Sequence, residues 1–529
     1  VIASISISAI STRGIIVARR GTSRAGKRRR EAAAPTFRQL PFRQLRNPYP
    51  PTNLLSDDQL ESVHEASLDV LENIGINFLL EEARDLLKAA GAEIEPGTTR
   101  VRFDRHMVME WVDKAPQSFT AHARNPAHNF QFGPGFINFS MIASPPNSSD
   151  MERGRRPGNF EDFCDLVRLG QTLNIAHQMG GYPVEPIDLH PGIRHLVAES
   201  TIYKLSDKFS AGYCLGRERI RDSIEMARIA RGVSREQLLT EPSIHSTVNA
   251  NSPLQYDIPM LSGIIEMARM NQPIVITPFT LAGAMAPVTL AGAVVQQNAE
   301  ALAGMAFVQI VSAGCPVVYG GFTSNVDMRS GAPAFGTPEY AKAVFMGGQL
   351  ARRYGVPYRS SNVNASNAPD AQAVYESQMS IWPCMMSQAT LVKHALGWLE
   401  GGLCASFEKV IIDAEMLQMA SEFLQPIQTD EAEFGISAME EVGPGGHYFG
   451  AAHTMERYDT AFYEPILSDW RNFETWESDG AVDATTRAHK IYKQLLADYT
   501  PPPMDAAIAE ELDAFVARRK EEGGIPTDF

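Results

Sequence analysis

Pro273-Ile-Val-Ile-Thr-Pro-Phe-Thr280, a helix-period stretch from Val288 to Ser312, and Pro316-Val-Val-Tyr-Gly-Gly-Phe-Thr323 read as one strand-helix-strand unit. Both flanking runs are short, apolar and β-branched, and each ends in a turn, which predicts buried strands of a parallel sheet. The same unit recurs outward in both directions. Strand candidates precede it at Phe136 to Ile142, Ile175 to Gly181, Lys208 to Cys214 and Ser243 to Asn249, and follow it at Tyr358 to Asn364 and Leu403 to Phe407. Helix-period segments separate them, at 161–173, 194–205, 217–229, 258–270, 338–354 and 370–399. Eight strands alternating with helices predict an α/β fold, a (β/α)8 TIM-type barrel in preference to an open doubly wound sheet.

Upstream, Ser56-Asp57-Asp58 caps a helix from Leu60 to Ile74, a second helix over Leu80 to Ala90 stops at Gly91, and small strands are expected at Ser118 to Ala123 and Asn129 to Phe132. The expected organisation is a basic flexible tail over 1–46, an N-terminal α-rich cap over 47–133, the barrel over 134–470 and a C-terminal helical extension over 471–529. No run reaches the roughly 18 apolar residues of a transmembrane helix, and the longest, Val1 to Val17, contains Arg13.

The formal charge of −15 conceals an asymmetry. Residues 1–46 hold eleven Lys and Arg against Glu31 alone, a charge of +10, so the body carries −25. An acidic body disfavours nucleic acid and suits a cationic ligand. The first 30 residues, acid-free with clustered Arg, have the composition of a transit peptide, while Arg19-Arg20 lacks the apolar run that export requires. A flexible arm is the preferred reading. Cys164, Cys214, Cys315, Cys384 and Cys404 contain no C-x-x-C pair, which predicts buried thiols in a reducing, cytoplasmic setting and no zinc site.

In a barrel the chemistry gathers after the strand carboxyl ends. Those positions hold Met141, Ser144, Tyr182, Cys214, Asn249, Asn251, Ser252, Phe279, Thr280, Phe322, Thr323, Ser324, Asn362, Asn364, Asn367 and Glu408. Amides, hydroxyls and rings dominate this set, unlike a metallohydrolase with His and Asp at several ends. His177 and His245 lie within strand runs but outside any H-x-H or H-E-x-x-H pattern, and read as core histidines. The sequence lacks G-x-S-x-G, P-loop and post-strand G-x-G-x-x-G signatures, which argues against serine hydrolysis, Walker-type NTP use and Rossmann dinucleotide binding. Tyr182, Phe279, Tyr319 and Phe322 are candidates for an aromatic cage around a fixed cation.

Four ordered motifs carry a family resemblance. They are Phe279-Thr-Leu-Ala-Gly-Ala-Met-Ala-Pro-Val-Thr-Leu-Ala-Gly292, Tyr319-Gly-Gly-Phe-Thr-Ser-Asn-Val-Asp-Met-Arg-Ser-Gly331 with Gly336-Thr-Pro-Glu339, Pro369-Asp-Ala-Gln-Ala373, and Gly443-Pro-Gly-Gly-His447. They resemble the trimethylamine methyltransferase family, whose barrel enzymes move a methyl group from a methylated amine to the Co(I) corrinoid of a separate carrier protein. Founders of that family carry pyrrolysine just before the Pro-Asp-Ala-Gln-Ala motif. Here the loop reads Ser360-Ser-Asn-Val-Asn-Ala-Ser-Asn-Ala-Pro369, with Val363 near that position.

The resemblance therefore implies the non-pyrrolysine branch, similar to glycine betaine methyltransferase, acting on a quaternary ammonium such as glycine betaine or proline betaine. It implies a corrinoid (cobalamin) presented by a partner protein, no tightly bound cofactor, no metal site, and a homo-oligomer. On this reading Tyr182, Phe279, Tyr319 and Phe322 hold the cation, and Asn362, Asn364 and Asn367 orient a carboxylate. Asn364 and Glu408 act nearest the chemistry, His447 donates to the carboxylate, and Asp370 caps the helix that follows it. A trimethylamine-type tertiary amine enzyme and a non-catalytic betaine-binding paralogue are the alternatives. A cobalamin-independent barrel enzyme acting on small carbonyl acids ranks behind both, for want of a Lys or metal at the expected strand ends.

Overall fold

The structure, a computed structural model, describes residues 37–525, and the unit that carries both the sheet and the site begins at Gln39. Seven parallel strands form the central sheet: Phe136–Met141, Ser210–Gly212, Ile244–Val248, Ile274–Ile276, Val317–Gly320, Tyr358–Ser361 and Leu391–Leu396. An eighth, Leu45–Arg46, adds antiparallel to the outer side of Phe136–Met141. Gln178 makes single parallel bridges to Ser140 on one side and Phe209 on the other, so the sheet curls until its two ends share a neighbour. The unit at 273–323 follows its sequence pattern. Ile274, Val275 and Ile276 are buried, Thr289 caps the largely buried helix Leu290–Val311, and the chain returns as Val317–Gly320. Gly320 lets the two strands converge, since a Cβ there would sit 2.0 Å from Thr277 Oγ1.

Five expectations are corrected, the first being that Ile175 to Gly181 contributes only the bridged residue Gln178 and not a strand. The last ladder strand is Leu391–Leu396, not Leu403 to Phe407; Cys404–Ser406 pairs instead with Trp398–Leu399 and with Asn147–Asp150 in a separate sheet. Helix 370–399 stops at Met386, because Gln388 turns the backbone to φ 60°, while Lys, His and Ala in the following strand disguise it as more helix. The runs at 273–280 and 316–323 each divide in two. Phe279–Ala282 and Phe322–Val326 leave the ladder and, with Pro333–Ala334, form a three-stranded sheet above it. Residues 39–46 are not tail. Gln39 bonds Thr172 O at 2.8 Å, Arg43 pairs with Glu422 at 2.6 Å, and Leu45 aligns with Ile137. The remainder of that tail, 1–36, lies outside the described residues.

One end of the sheet is sealed by the hairpin Phe119–Ala121 and Phe130–Phe132, whose rings cluster with Phe209, Val275, Val318 and Leu391. Phe119 and Phe132 stack at 4.7 Å. Because parallel strands enter there, the hairpin is a floor under their amino ends and leaves the carboxyl ends for the site. Helix Asp57–Asp69 begins with the Ser56 and Gln59 capping box and packs on Leu290–Val311. Ala484–Ala497 lies along Phe407–Phe423, and Ala506–Glu521 along Pro191–Leu205 and Arg217–Arg231. All five cysteines are free and buried, and His177 and His245 are core residues bonded to the Phe139 amide and to Gln178. Among the described residues, no helix is long and apolar enough to cross a membrane.

Candidate functional site

A cavity of about 420 Å³ lies at the strand carboxyl ends. One wall is aromatic. Phe279 and Phe322 come from the small upper sheet, Phe335 from just beyond it, and Trp398 from the segment after the last ladder strand. Phe322 and Phe335 stack at 5.7 Å, Phe279 stands 5.0 Å from Phe322, and Trp398 is edge-on to Phe322 and Phe335 at 6.3 and 6.0 Å. Thr280 and Thr323 share a hydroxyl contact that joins the two strands carrying Phe279 and Phe322. Tyr213 lines another part of the cavity, its hydroxyl bonded to Ser144 and to the Tyr182 amide.

Deeper in the ladder the lining becomes cationic. Arg359 and Lys393 sit on adjacent strands and are only 2% and 5% exposed. Lys393 Nζ donates to Thr247 at 2.6 Å, and the Arg359 guanidinium lies 5.0 Å from the centre of the Phe322 ring. Neither Nε nor Nη1 of Arg359 has a hydrogen-bond partner among the described residues, and the cavity lining includes no Asp or Glu. A bulge makes this possible. Register shifts between Val392 and Leu396, with His394 at φ 55°, so consecutive residues Lys393 and His394 both reach the cavity where a regular strand would send them to opposite faces. A non-glycine residue held at positive φ is strain that the surrounding packing must impose.

Burial sets the electrostatics. It lowers Arg359 to about 10; for Lys393, burial and then the neighbouring guanidinium bring the ammonium down to about 7. His394 falls well below the usual imidazole range for the same reasons, burial first, then Arg359 and Lys393. Its Nδ1 accepts from the Ala143 amide at 3.2 Å, which leaves the proton of the neutral ring on Nε2. The cavity thus combines a ring-lined outer part with an inner part rich in unpaired positive charge.

Residues 19–524 match the family model described as trimethylamine methyltransferase (MTTB). The chain belongs to the trimethylamine methyltransferase family. It is 36% identical over 476 residues to a glycine betaine methyltransferase of Desulfitobacterium hafniense (strain Y51), a match covering 90% of this chain and 98% of that protein. To a trimethylamine methyltransferase of D. hafniense (strain DSM 10664 / DCB-2) it is 27% identical, covering 89% and 94%. A solved monomethylamine methyltransferase of Methanosarcina barkeri aligns with a TM-score of 0.47 at 10% identity, covering 86% and 90%. This trimethylamine methyltransferase family member is a methyltransferase. Val363, near the pyrrolysine position, is a buried apolar residue whose carbonyl accepts from Ser380.

The structure distributes the sequence-derived candidates among several places. Phe279 and Phe322 meet in the cavity, joined by Ser144, Cys214 and Asn249 from the strand-end inventory. Tyr319 does not; it is 0% exposed and bonded to Gln297 and Asn298 of the helix Leu290–Val311. Tyr182 is buried against Tyr213 at 4.4 Å and faces a separate pocket with His195 and Arg219. Asn362 and Asn364 are buried braces. Asn362 Nδ2 donates to Ala395 O and Asp413, and Asn364 Nδ2 to Trp398 O at 2.6 Å. Asn367 and Glu408 line a second cavity of about 530 Å³ with Asp150, Arg155 and Glu400. Glu408 there accepts from the Met151 amide and contacts His489 at 2.7 Å. His447 is exposed on the segment after the last ladder helix. Asp370 caps Ala371–Met386 as expected.

Sequence reading missed Arg359, Lys393, His394, Phe335, Trp398 and Tyr213. Arg359 lies inside a strand run rather than after it, and Lys393, His394 and Trp398 were hidden by the over-long helix. A buried Lys-His pair bounded by apolar residues was the available signal.

Proposed function

We propose that this protein transfers a methyl group from the quaternary ammonium of a betaine, of the glycine betaine or proline betaine type, to the Co(I) corrinoid of a separate carrier protein. The carrying observation is the cavity: aromatic walls, no carboxylate, and fixed cations behind the rings. The 36% likeness to a glycine betaine methyltransferase supports the same substrate class. At about 420 Å³ the cavity is near the lower end of the roughly 300–1,000 Å³ usual for small-molecule sites. It suits a small amine, with the acceptor staying on its carrier and approaching from outside.

The corrinoid supplies the nucleophile, a Co(I) electron pair. The methyl carbon takes that pair as its bond to nitrogen breaks, and the departing pair remains on a neutral tertiary amine; no proton moves. The protein's part is positioning. Phe279, Phe322, Phe335 and Trp398 hold the methylated nitrogen by their faces and edges and exclude water, so that one methyl points toward the mouth. Positive charge on nitrogen falls along the reaction, and a dry aromatic setting favours that loss over the hydrated ground state.

We also read the curled sheet as a closed (β/α)8 barrel whose second strand is reduced to Gln178, supported by its bridges to Ser140 and Phe209. Exposed Ile427, Phe449, Tyr458, Phe462 and Trp470, all within residues 427–470, support a homo-oligomer, since large apolar side chains exposed along one segment gain by burial against a partner. The buried free thiols suit the cytoplasm. The test is incubation with free Co(I) cobalamin and a panel of quaternary and tertiary amines, following methylcobalamin absorbance. Turnover with a betaine is expected. Transfer from trimethylamine alone would overturn the substrate class, and betaine binding with no transfer to any Co(I) corrinoid would identify a binding protein.

A further inference from the structure

We infer that Arg359 and Lys393 form an anion anchor that receives the substrate's carboxylate, so that the site selects zwitterions and rejects plain quaternary cations. The inference rests on the methyl-transfer reading above and specifies how its substrate is held. It replaces the assignment of Asn362, Asn364 and Asn367 to the carboxylate, because the first two spend their amide donors on Ala395 O, Asp413 and Trp398 O, and the third lies in the other cavity.

Three observations converge. Two cations share a small cavity whose lining contains no carboxylate, an arrangement that costs free energy until an anion enters. Arg359 is almost wholly buried with Nε and Nη1 lacking partners among the described residues, and Lys393 commits one N–H to Thr247 and keeps two donors. A buried donor without a partner calls for an acceptor, and in a cavity open to a ligand the ligand can supply it. Finally, the bulge at His394 keeps a non-glycine residue at φ 55° and thereby delivers Lys393 to the cavity.

The depth of the groups also fixes polarity. Arg359 and Lys393 belong to the ladder, whereas Phe279 and Phe322 lie beyond the strand ends. A carboxylate at the cations therefore places the ammonium among the rings and its methyl groups toward the mouth, where an external acceptor would approach. A ligand inverted in the cavity would put its ammonium against two cations. One set of charges thus selects the substrate and orients the transferable methyl.

Calorimetric titration of the full-length protein with glycine betaine, choline, tetramethylammonium and 3,3-dimethylbutanoate tests the anchor. The last is the carbon isostere that keeps the carboxylate and lacks the positive charge. Wild type should bind glycine betaine at least 100-fold more tightly than choline or tetramethylammonium. Arg359→Gln and Lys393→Met, each checked for native circular dichroism, should each lose at least 30-fold toward betaine without losing affinity for tetramethylammonium. Equal wild-type affinity for tetramethylammonium and betaine overturns the anchor, as does unchanged betaine affinity in both folded variants. The wild-type comparison requires no variant to fold. Isostere binding as tight as betaine would support the anchor while removing the quaternary-ammonium reading, so the two failures are distinguishable.

Discussion

Replacing Phe322 by Leu isolates the contribution of one ring to recognition of the cation. Phe322 faces the cavity between Phe279 at 5.0 Å and Phe335 at 5.7 Å, with the Arg359 guanidinium 5.0 Å from its centre. Leucine retains an apolar wall of similar bulk, so the stability cost should stay near 1 kcal/mol. What disappears is the negative ring face, worth about 1–2 kcal/mol toward a desolvated cation. That corresponds to a loss of roughly 5- to 30-fold in affinity for glycine betaine. The variant also removes a platform beneath Arg359, and this loss must be separated from the first. Titration with 3,3-dimethylbutanoate does so, because the isostere uses the same carboxylate anchor without a positive charge. Phe322→Leu should weaken betaine 5- to 30-fold more than it weakens the isostere. An equal loss for the two ligands would mean that the ring serves packing or Arg359 alone, and would refute the aromatic recognition of the ammonium.

Other consequences are as direct. Lys393, at about 7 in the free protein through burial and Arg359, is protonated below that value and must be protonated to meet a carboxylate. Betaine affinity measured by calorimetry should therefore fall by about fivefold from pH 7 to pH 8. His394 and His245 beside it are already neutral and add no step, so a flat profile would exclude Lys393 from the contact. Asn364→Ala removes the donor to Trp398 O and should cost about 1–3 kcal/mol, seen as a lower melting temperature with weaker betaine binding; an unchanged melting temperature would show that the brace is dispensable. His489 is lowered by burial but lifted overall by Glu408 and Glu152, and its raised value stabilises the docked helix Ala484–Ala497 fully below about 6.5, a contribution lost as pH rises through that raised value. Hydrogen exchange in this helix should accordingly be slower at pH 6 than at pH 8.5 after correction for intrinsic rates, and His489→Gln should abolish the difference.

The legibility of the fold and of the site differed for physical reasons. Strand-helix alternation is local, and burial on both faces of a parallel sheet writes itself as apolar β-branched runs such as Ile274-Val-Ile276 and Val317-Val318. The missed strand Leu391–Leu396 also has a cause. Leu391–Leu396 contains Lys393 and His394 because it supplies the cavity, and functional polarity interrupts the pattern that would have revealed the strand. Phe279 and Phe322 were legible as strand-end rings, while Phe335 arrives through the loop that follows Phe322–Val326.

Sequence by itself determined the family, the alternating α/β plan, the absence of a pyrrolysine-like group at Val363, and two rings of the aromatic wall. Only the tertiary structure decided which polar groups face the cavity at the strand carboxyl ends. Side-chain direction depends on the register shift between Val392 and Leu396, and the availability of a donor depends on partners distant in the chain. Asn364 is occupied by Trp398 O, whereas Arg359 retains free N–H groups. Neither property is periodic or local, so the asparagines looked like ligands and the buried cations did not.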